Sequence, residues 1–263
     1  MNRNYLNSKI WGGTLTQLSP FYLGYLRLKY CLDALCDTNG KILEVGCGGG
    51  GFVASVKNYR HDLKVFAVDV NKKAIISGST KYKDIHFKTG NAYALPYRKS
   101  YFDAVLIEDV LEHLASPQKA LVEISRVLRE NGVFHAYVPL EGEWYTLHNL
   151  LYKLGWRAKE RLAGHIQQFS IFSLRLSFKK AGFKIVNTKY STHLLGQVVD
   201  AGYFEFLSLL NRKLEVGLEE DLSHKAKIFR IIKNVVTAII NFESIFLSKV
   251  PSAGVHITAV KSE

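Results

Sequence analysis

Between Lys41 and Phe52 the chain reads KILEVGCGGGGF, and the chemistry lies in the run Gly46, Cys47, Gly48, Gly49, Gly50 and Gly51. Without a Cβ, glycine lets the backbone turn sharply, take positive φ and bring bare amides against a flat or charged ligand at a helix N-terminus. A nucleotide-like ligand suits such a turn. Gly46, Gly48 and Gly51 also fit the GxGxxG spacing of dinucleotide-binding proteins, a short pattern that does not separate one nucleotide from another. Asp69 follows about 20 residues later, where a strand-end carboxylate accepts hydrogen bonds from both vicinal hydroxyls of a ribose. His113 and His165 are the candidate general bases, because imidazole titrates near neutrality.

These residues need a scaffold, and the hydrophobic pattern supplies one. Ile42, Leu43 and Val45 make a short buried strand before the glycines, and a helix starts near Phe52. Further strands are expected at Lys64–Val68, Ile85–Lys88, Tyr101–Ile107, Gly132–Val138, Phe183–Lys189 and Val255–Val260. Helices fall between them: one capped by Asn71 and reaching Tyr82, one over Pro117–Arg129, and one ended by Gly182. The alternation predicts an α/β fold: a doubly wound, mostly parallel seven-stranded sheet with helices on both faces and its cleft at the C-terminal strand ends.

Around that domain, residues 41–192 with 253–263, the sequence departs from the alternation three times. Residues 1–40 read as a helical leader from Pro20 onward, expected to cover an edge of the sheet, with Tyr5 and Trp11 packing on the surface or over the cleft. Residues 140–168 carry Trp144, Tyr145, His148, Tyr152, Trp156 and His165, an aromatic and basic excursion placed as a lid. Residues 193–252 form a helical insertion where a hairpin would suffice. Within it, Ala226–Val250 is amphipathic, with Arg230, Asn234, Thr237, Asn241, Ser244 and Ser248 in one polar stripe. The remaining face is too wide for one neighbour. It is expected to meet the segment Tyr203–Leu214 and then a dimer partner, a greasy substrate or a membrane surface, with packing or dimerisation favoured over membrane contact.

Composition bounds the partners. A net charge of +12 over 263 residues favours anionic partners, yet the cations are spread along the chain. Three cysteines give no disulfide framework, and the start MNRNYLNSKIW has no apolar core of signal-peptide length. No apolar run is long enough to span a bilayer. A cytoplasmic protein is expected, peripherally membrane-associated if the long amphipathic helix reaches lipid.

In this order, the motifs ILEVGCGGG, AVDVN, GNAYALPY, FDAVLIEDVLEHL, ALVEISRVLRENGVF, GHIQQFS and KKAGF resemble those of the class I S-adenosylmethionine-dependent methyltransferases. The resemblance covers about Lys41 to Lys189 and the last strand. It implies S-adenosylmethionine as the cofactor and S-adenosylhomocysteine as its product. Glu44, Gly46, Cys47, Gly48 and Gly50 would shape the methionine side, Asp69 would take the ribose, and Val70 would lie against the adenine. Asn91 and Ala92 would read the adenine edge, and Glu108 would close the cleft through its backbone. Where this chain has Asn91 the family usually has aspartate, which leaves a weaker amide-oxygen acceptor.

Asp109, Val110, Leu111, Glu112 and His113 resemble a stretch of the ubiquinone-pathway O-methyltransferases, in which two acids and the histidine are associated with a divalent metal. Asp109, Glu112 and His113 at spacings of three and four would share one face of a helix start. Packing and capping beside the cleft is the alternative. The function implied is methyl transfer to a small-molecule or lipid-linked acceptor, at a hydroxyl oxygen. An RNA methyltransferase is supported only by charge: IEDV replaces the Asn-Pro-Pro-Tyr type of motif, and nucleic acid is not the expected partner. A cofactor-binding protein without catalysis is a third reading, and an NAD-dependent oxidoreductase lacks its Tyr and Lys pair.

Overall fold

The computed structural model describes residues 17–209 and 227–262. Seven strands, β1 (Lys41–Val45), β2 (Lys64–Asp69), β3 (Ile85–Thr89), β4 (Phe102–Glu108), β5 (Leu128–Pro139), β6 (Phe183–Ser191) and β7 (Gly254–Lys261), form one sheet. Their order is β3-β2-β1-β4-β5-β7-β6, with β7 antiparallel to both neighbours. β1, β2 and β4 bury nearly every residue, as parallel strands covered on both faces must.

Helices α1 (Tyr25–Ala34), α2 (Gly51–Tyr59) and α3 (Lys72–Lys81) lie on one face. There Leu28, Cys31, Val53, Val56 and Ile75 pack on Ile42, Val65 and Leu106. On the other face α4 (Pro117–Val127) and α7 (Ile171–Lys180) bring Leu121, Ile124, Leu174 and Phe178 onto Val105 and Phe134. Between α4 and α7, the excursion at 140–168 folds into two short helices, α5 (Leu147–Lys153) and α6 (Ala158–Ala163).

The register sets the site. Val45 pairs with Val68 on one side and Ile107 on the other, so Gly46, Asp69 and Glu108 leave the sheet side by side. Glu108 in turn pairs with Tyr137. Because β1 is flanked by β2 and β4, chains leave it in opposite directions, and a crevice opens at its C-terminal end.

Two expectations change. α1 does not cover a sheet edge; it packs against α2, β5 and β7, near the middle of one face. Its apolar residues sit at helical spacing, and the sequence pattern alone could not choose edge from centre. α4 stops at Val127 and β5 begins at once, pairing Leu128 with Phe102 and shifting register before Ala104 pairs with Val133. Tyr5 and Trp11 lie outside the described residues, as does the end of Tyr203–Leu214.

The insertion supplies α8 (Leu194–Leu209) and α9 (Lys227–Phe246). The orientation of α9 reverses that of an ordinary surface helix. Thr237, Asn241 and Ser244 are buried, whereas Ile232, Val235, Ile239, Phe242 and Phe246 are exposed. The buried polar groups have work to do: Asn241 Nδ2 donates to the carbonyls of Pro20 (2.6 Å) and Tyr22 (3.1 Å), and Ser244 Oγ meets His193 Nδ1 (3.2 Å).

Candidate active site

A cavity of about 700 Å³ opens at the C-terminal strand ends, a size suited to a nucleotide-containing ligand and an acceptor. Its wall includes Glu44, Gly46, Cys47, Gly48, Asp69, Val70, Asn91, Ala92, Glu108, Asp109, His113 and His165. Gly50 and Glu112 are not on it. Gly50 is the residue before α2, at φ 77, with the Phe87 ring where a Cβ would point. Glu112 is fully buried behind the wall.

The glycine turn is held from two directions. Gly46 has φ 77 and a Cβ there would collide with Val110, so both its conformation and its neighbour demand glycine. Asp69 Oδ2 accepts from the Gly48 amide (2.7 Å) while Oδ1 accepts from the Asn71 amide (2.7 Å), tying the turn to the start of α3. Each oxygen keeps a second lone pair. Asn91 Oδ1 accepts from the Tyr93 amide (3.0 Å), so this acceptor also enters the site with one lone pair already used.

Beneath the turn lie buried carboxyls with unsatisfied oxygens. Burial, reinforced by Asp69, pushes Glu44 up to about 8 against a backbone hydrogen bond from Val53. Burial also drives Glu108 well above the usual carboxylate range; Arg27 opposes this while Asp109 adds to it. Among the described residues neither Glu108 oxygen has a hydrogen-bond partner, nor does Glu44 Oε2. A buried acid in this condition either keeps its proton or waits for a cation.

The opposite half of the cavity is a charged network under α5 and α6. Lys159 bridges Glu141 (2.9 Å) and Asp200 of α8 (2.7 Å), and His165 Nδ1 lies 2.9 Å from Glu141 Oε1. Burial alone would raise the Glu141 carboxyl, but Lys159 and His165 outweigh it and hold the group well below the usual range. An ionised Glu141 makes His165 Nδ1 the donor and leaves Nε2 as the basic nitrogen. His113 differs. Burial and then the neighbouring His165 lower it to about 4, and its Nδ1 faces the Gly164 carbonyl (3.1 Å).

Asp109, Glu112 and His113 do not share a helix face. β4 is followed by a left-handed residue, Asp109 (φ 50), and then by a single 3-10 turn over Leu111–His113. Asp109 turns to an ion pair with Arg27, which stacks 4.3 Å from the Tyr137 ring centroid. The grouping that forms instead is Glu112, His113 and His165, with ligand atoms within 4.8 Å of one another. Glu112 has both oxygens buried and unpartnered among the described residues, and each histidine has its Nδ1 oriented by a second group. That donor set fits a borderline divalent ion.

The sequence comparisons agree with this architecture. The methyltransferase-domain family profile matches residues 43–136. A demethylmenaquinone methyltransferase of Symbiobacterium thermophilum is 30% identical over 190 residues, covering 60% of this chain and 72% of that protein. The chain belongs to the class I S-adenosylmethionine-dependent methyltransferases. A ubiquinone biosynthesis O-methyltransferase of Maricaulis maris is 30% identical over 132 residues, covering 45% of this methyltransferase-family chain and 50% of the relative. The chain spans 37% to 62% of the length of the first curated relatives it matches. Among solved structures, the [4+2]-cyclase SpnF superposes with a TM-score of 0.60 at 16% identity, over 90% of this chain and 80% of that one. A cyclase on the same architecture illustrates that fold does not fix reaction.

Several wall residues of this family member escape sequence reasoning. Arg27, Glu141, Lys159 and Asp200 are separated by long stretches of chain and carry no local motif. Only Glu141, two residues after the Pro139 that ends β5, had a positional signal, since residues just past a parallel strand enter the cleft.

Proposed function

We propose that this chain transfers the methyl group of S-adenosylmethionine to a hydroxyl oxygen of an apolar small-molecule or lipid-linked acceptor. The observation that carries the reading is the division of one cavity into two chemistries. Buried carboxyls with unsatisfied oxygens at Glu44 and Glu108 lie by the glycine turn, and the Glu141–His165 pair shares the cavity with His148 and Trp156. Bound S-adenosylmethionine supplies an electrophilic methyl on a sulfonium and leaves as the neutral thioether S-adenosylhomocysteine.

Ionised Glu44 and Glu108 complement the cationic methionine end, while Asp69 uses its spare lone pairs for the ribose hydroxyls. His165 accepts the acceptor's proton at Nε2 as that oxygen bonds to the methyl carbon and the carbon–sulfur electron pair returns to sulfur. Glu141 stabilises the imidazolium that results. α5 and α6 exclude water and fix the approach, which in a displacement that neutralises charge is much of the catalysis. A divalent ion would be held by Glu112, His113 and His165; it would then occupy His165 Nε2 and acidify the acceptor hydroxyl in place of the imidazole base.

The relative named as a ubiquinone biosynthesis O-methyltransferase supports an oxygen acceptor, and the one named as a demethylmenaquinone methyltransferase supports a quinone-type small molecule. The test is transfer of labelled methyl from S-adenosylmethionine to prenylated catechols and hydroquinones. His165→Ala is expected to lower kcat by ~100-fold or more without weakening cofactor binding. Undiminished turnover in that variant would remove the base from the account.

A further inference from the structure

We infer that the outer face of α8 and α9 seats the protein on an anionic lipid bilayer, with the rim of the cavity at the lipid. On α9, Ile232, Ile239, Phe242 and Phe246 are 55%, 51%, 56% and 89% exposed. Their spacings of seven, three and four place them along one side, opposite the buried Thr237, Asn241 and Ser244. Leu194 and Val198 of α8, 67% and 52% exposed, adjoin them, because the Leu195 amide contacts the Glu243 carboxylate (3.2 Å). A contiguous apolar face shared by two helices is the kind of surface that marks an interaction site.

Charge selects the occupant. The acids of these two helices are turned to internal partners: Asp200 to Lys159, Glu205 to the Trp156 indole (2.7 Å), and Glu243 to the Leu195 amide. Glu243 is the one acid in the α9 sequence, and exposed Lys249 follows the helix, one of the cations behind the chain's positive charge. A second copy would present the same cations, and the whole chain carries +12. An anionic bilayer offers both an apolar phase and the opposite charge. Among the described residues no helix is long and apolar enough to cross a membrane, so α9 would lie in the interface.

Cavity and patch share a border. Leu23 (48% exposed) and Val199 (46%) line the cavity and also reach the surface, and Thr237, Asn241 and Ser244 make cavity wall from the inner side of α9. A lipid-linked acceptor could pass its polar ring inward while its tail stays in the bilayer. That purpose rests on the proposed acceptor class; the docking itself is measured without cofactor or turnover, so its failure would leave the methyl-transfer reading standing.

The experiment is co-sedimentation of the full chain with vesicles of phosphatidylcholine alone, or with a quarter of phosphatidylglycerol. Binding to the anionic vesicles is expected, weakening at high salt. It should fall by about tenfold or more in Ile239→Glu/Phe246→Glu and stay unchanged in Val122→Glu, an exposed site on α4. Ile232→Ser/Phe242→Ser repeats the test with uncharged groups if the first variant fails to fold. No binding of the wild type, or equal binding by folded variants, would overturn the proposal. So would a wild-type dimer that these substitutions dissociate, because the face would then be a self-interface.

Discussion

Glu44 holds its proton up to about pH 8 in the cofactor-free protein, whereas its ordinary value is 4.5. Between those values the folded chain keeps a proton that the unfolded chain has released, so this group's contribution to stability declines as pH rises through the window. A cationic ligand needs the ionised form, so binding below about pH 8 must expel the proton. Calorimetry in buffers of different ionisation enthalpy should therefore show proton release on S-adenosylmethionine binding at mildly acid pH, lost in Glu44→Gln. Release that persists in the variant would assign the proton to another group, with Glu108 the first to examine. At this scale the strand-end residues were legible because each follows an apolar run at the correct position. The Glu141, Lys159, Asp200 and His165 network was not, because it joins four points of the chain that no local pattern relates. The expected cluster of Asp109, Glu112 and His113 shows the converse error: helical spacing is informative only where a helix forms, and here the chain makes one 3-10 turn.

At the scale of elements, the β1–α2 turn is constrained by Val110 and Asp69. Gly46→Ala combines a disfavoured φ with a collision against Val110, and should destabilise the fold by more than ~1 kcal/mol in urea titrations. α9 is held differently. Asn241→Ala would take the side-chain donor from the Pro20 carbonyl and one of two donors from Tyr22, which keeps the Tyr25 amide, an expected loss of about 1–3 kcal/mol, read from the same titrations. A change within error would mean that the 20–22 segment is anchored by other contacts. Periodicity revealed the polar stripe of α9 but not its direction. A hydrophobic pattern normally points its apolar side inward; here the Pro20 and Tyr22 carbonyls and His193 engage the polar side. The position of α1 was hidden for a related reason, since an apolar stripe says that a helix is covered without saying by which strands.

For the whole molecule, seven strands in this order bring the loops after β1, β2, β3, β4 and β5 to one crevice, and residues of α5, α6, α8 and α9 complete its wall. The doubly wound sheet was readable from alternation alone, since each parallel crossover requires a helix between strands. The spatial role of the insertion was not, because it depends on contacts between α9 and a segment more than 200 residues earlier. The central claim is that this crevice binds S-adenosylmethionine through the glycine turn and Asp69. Calorimetric titration of the cofactor into the wild type and into Asp69→Ala tests it most directly. Micromolar binding that weakens by at least ~10-fold in the variant, as loss of charge-assisted hydrogen bonds requires, is the predicted result. Equal affinity in the two proteins, or no heat from a folded wild type, would contradict it.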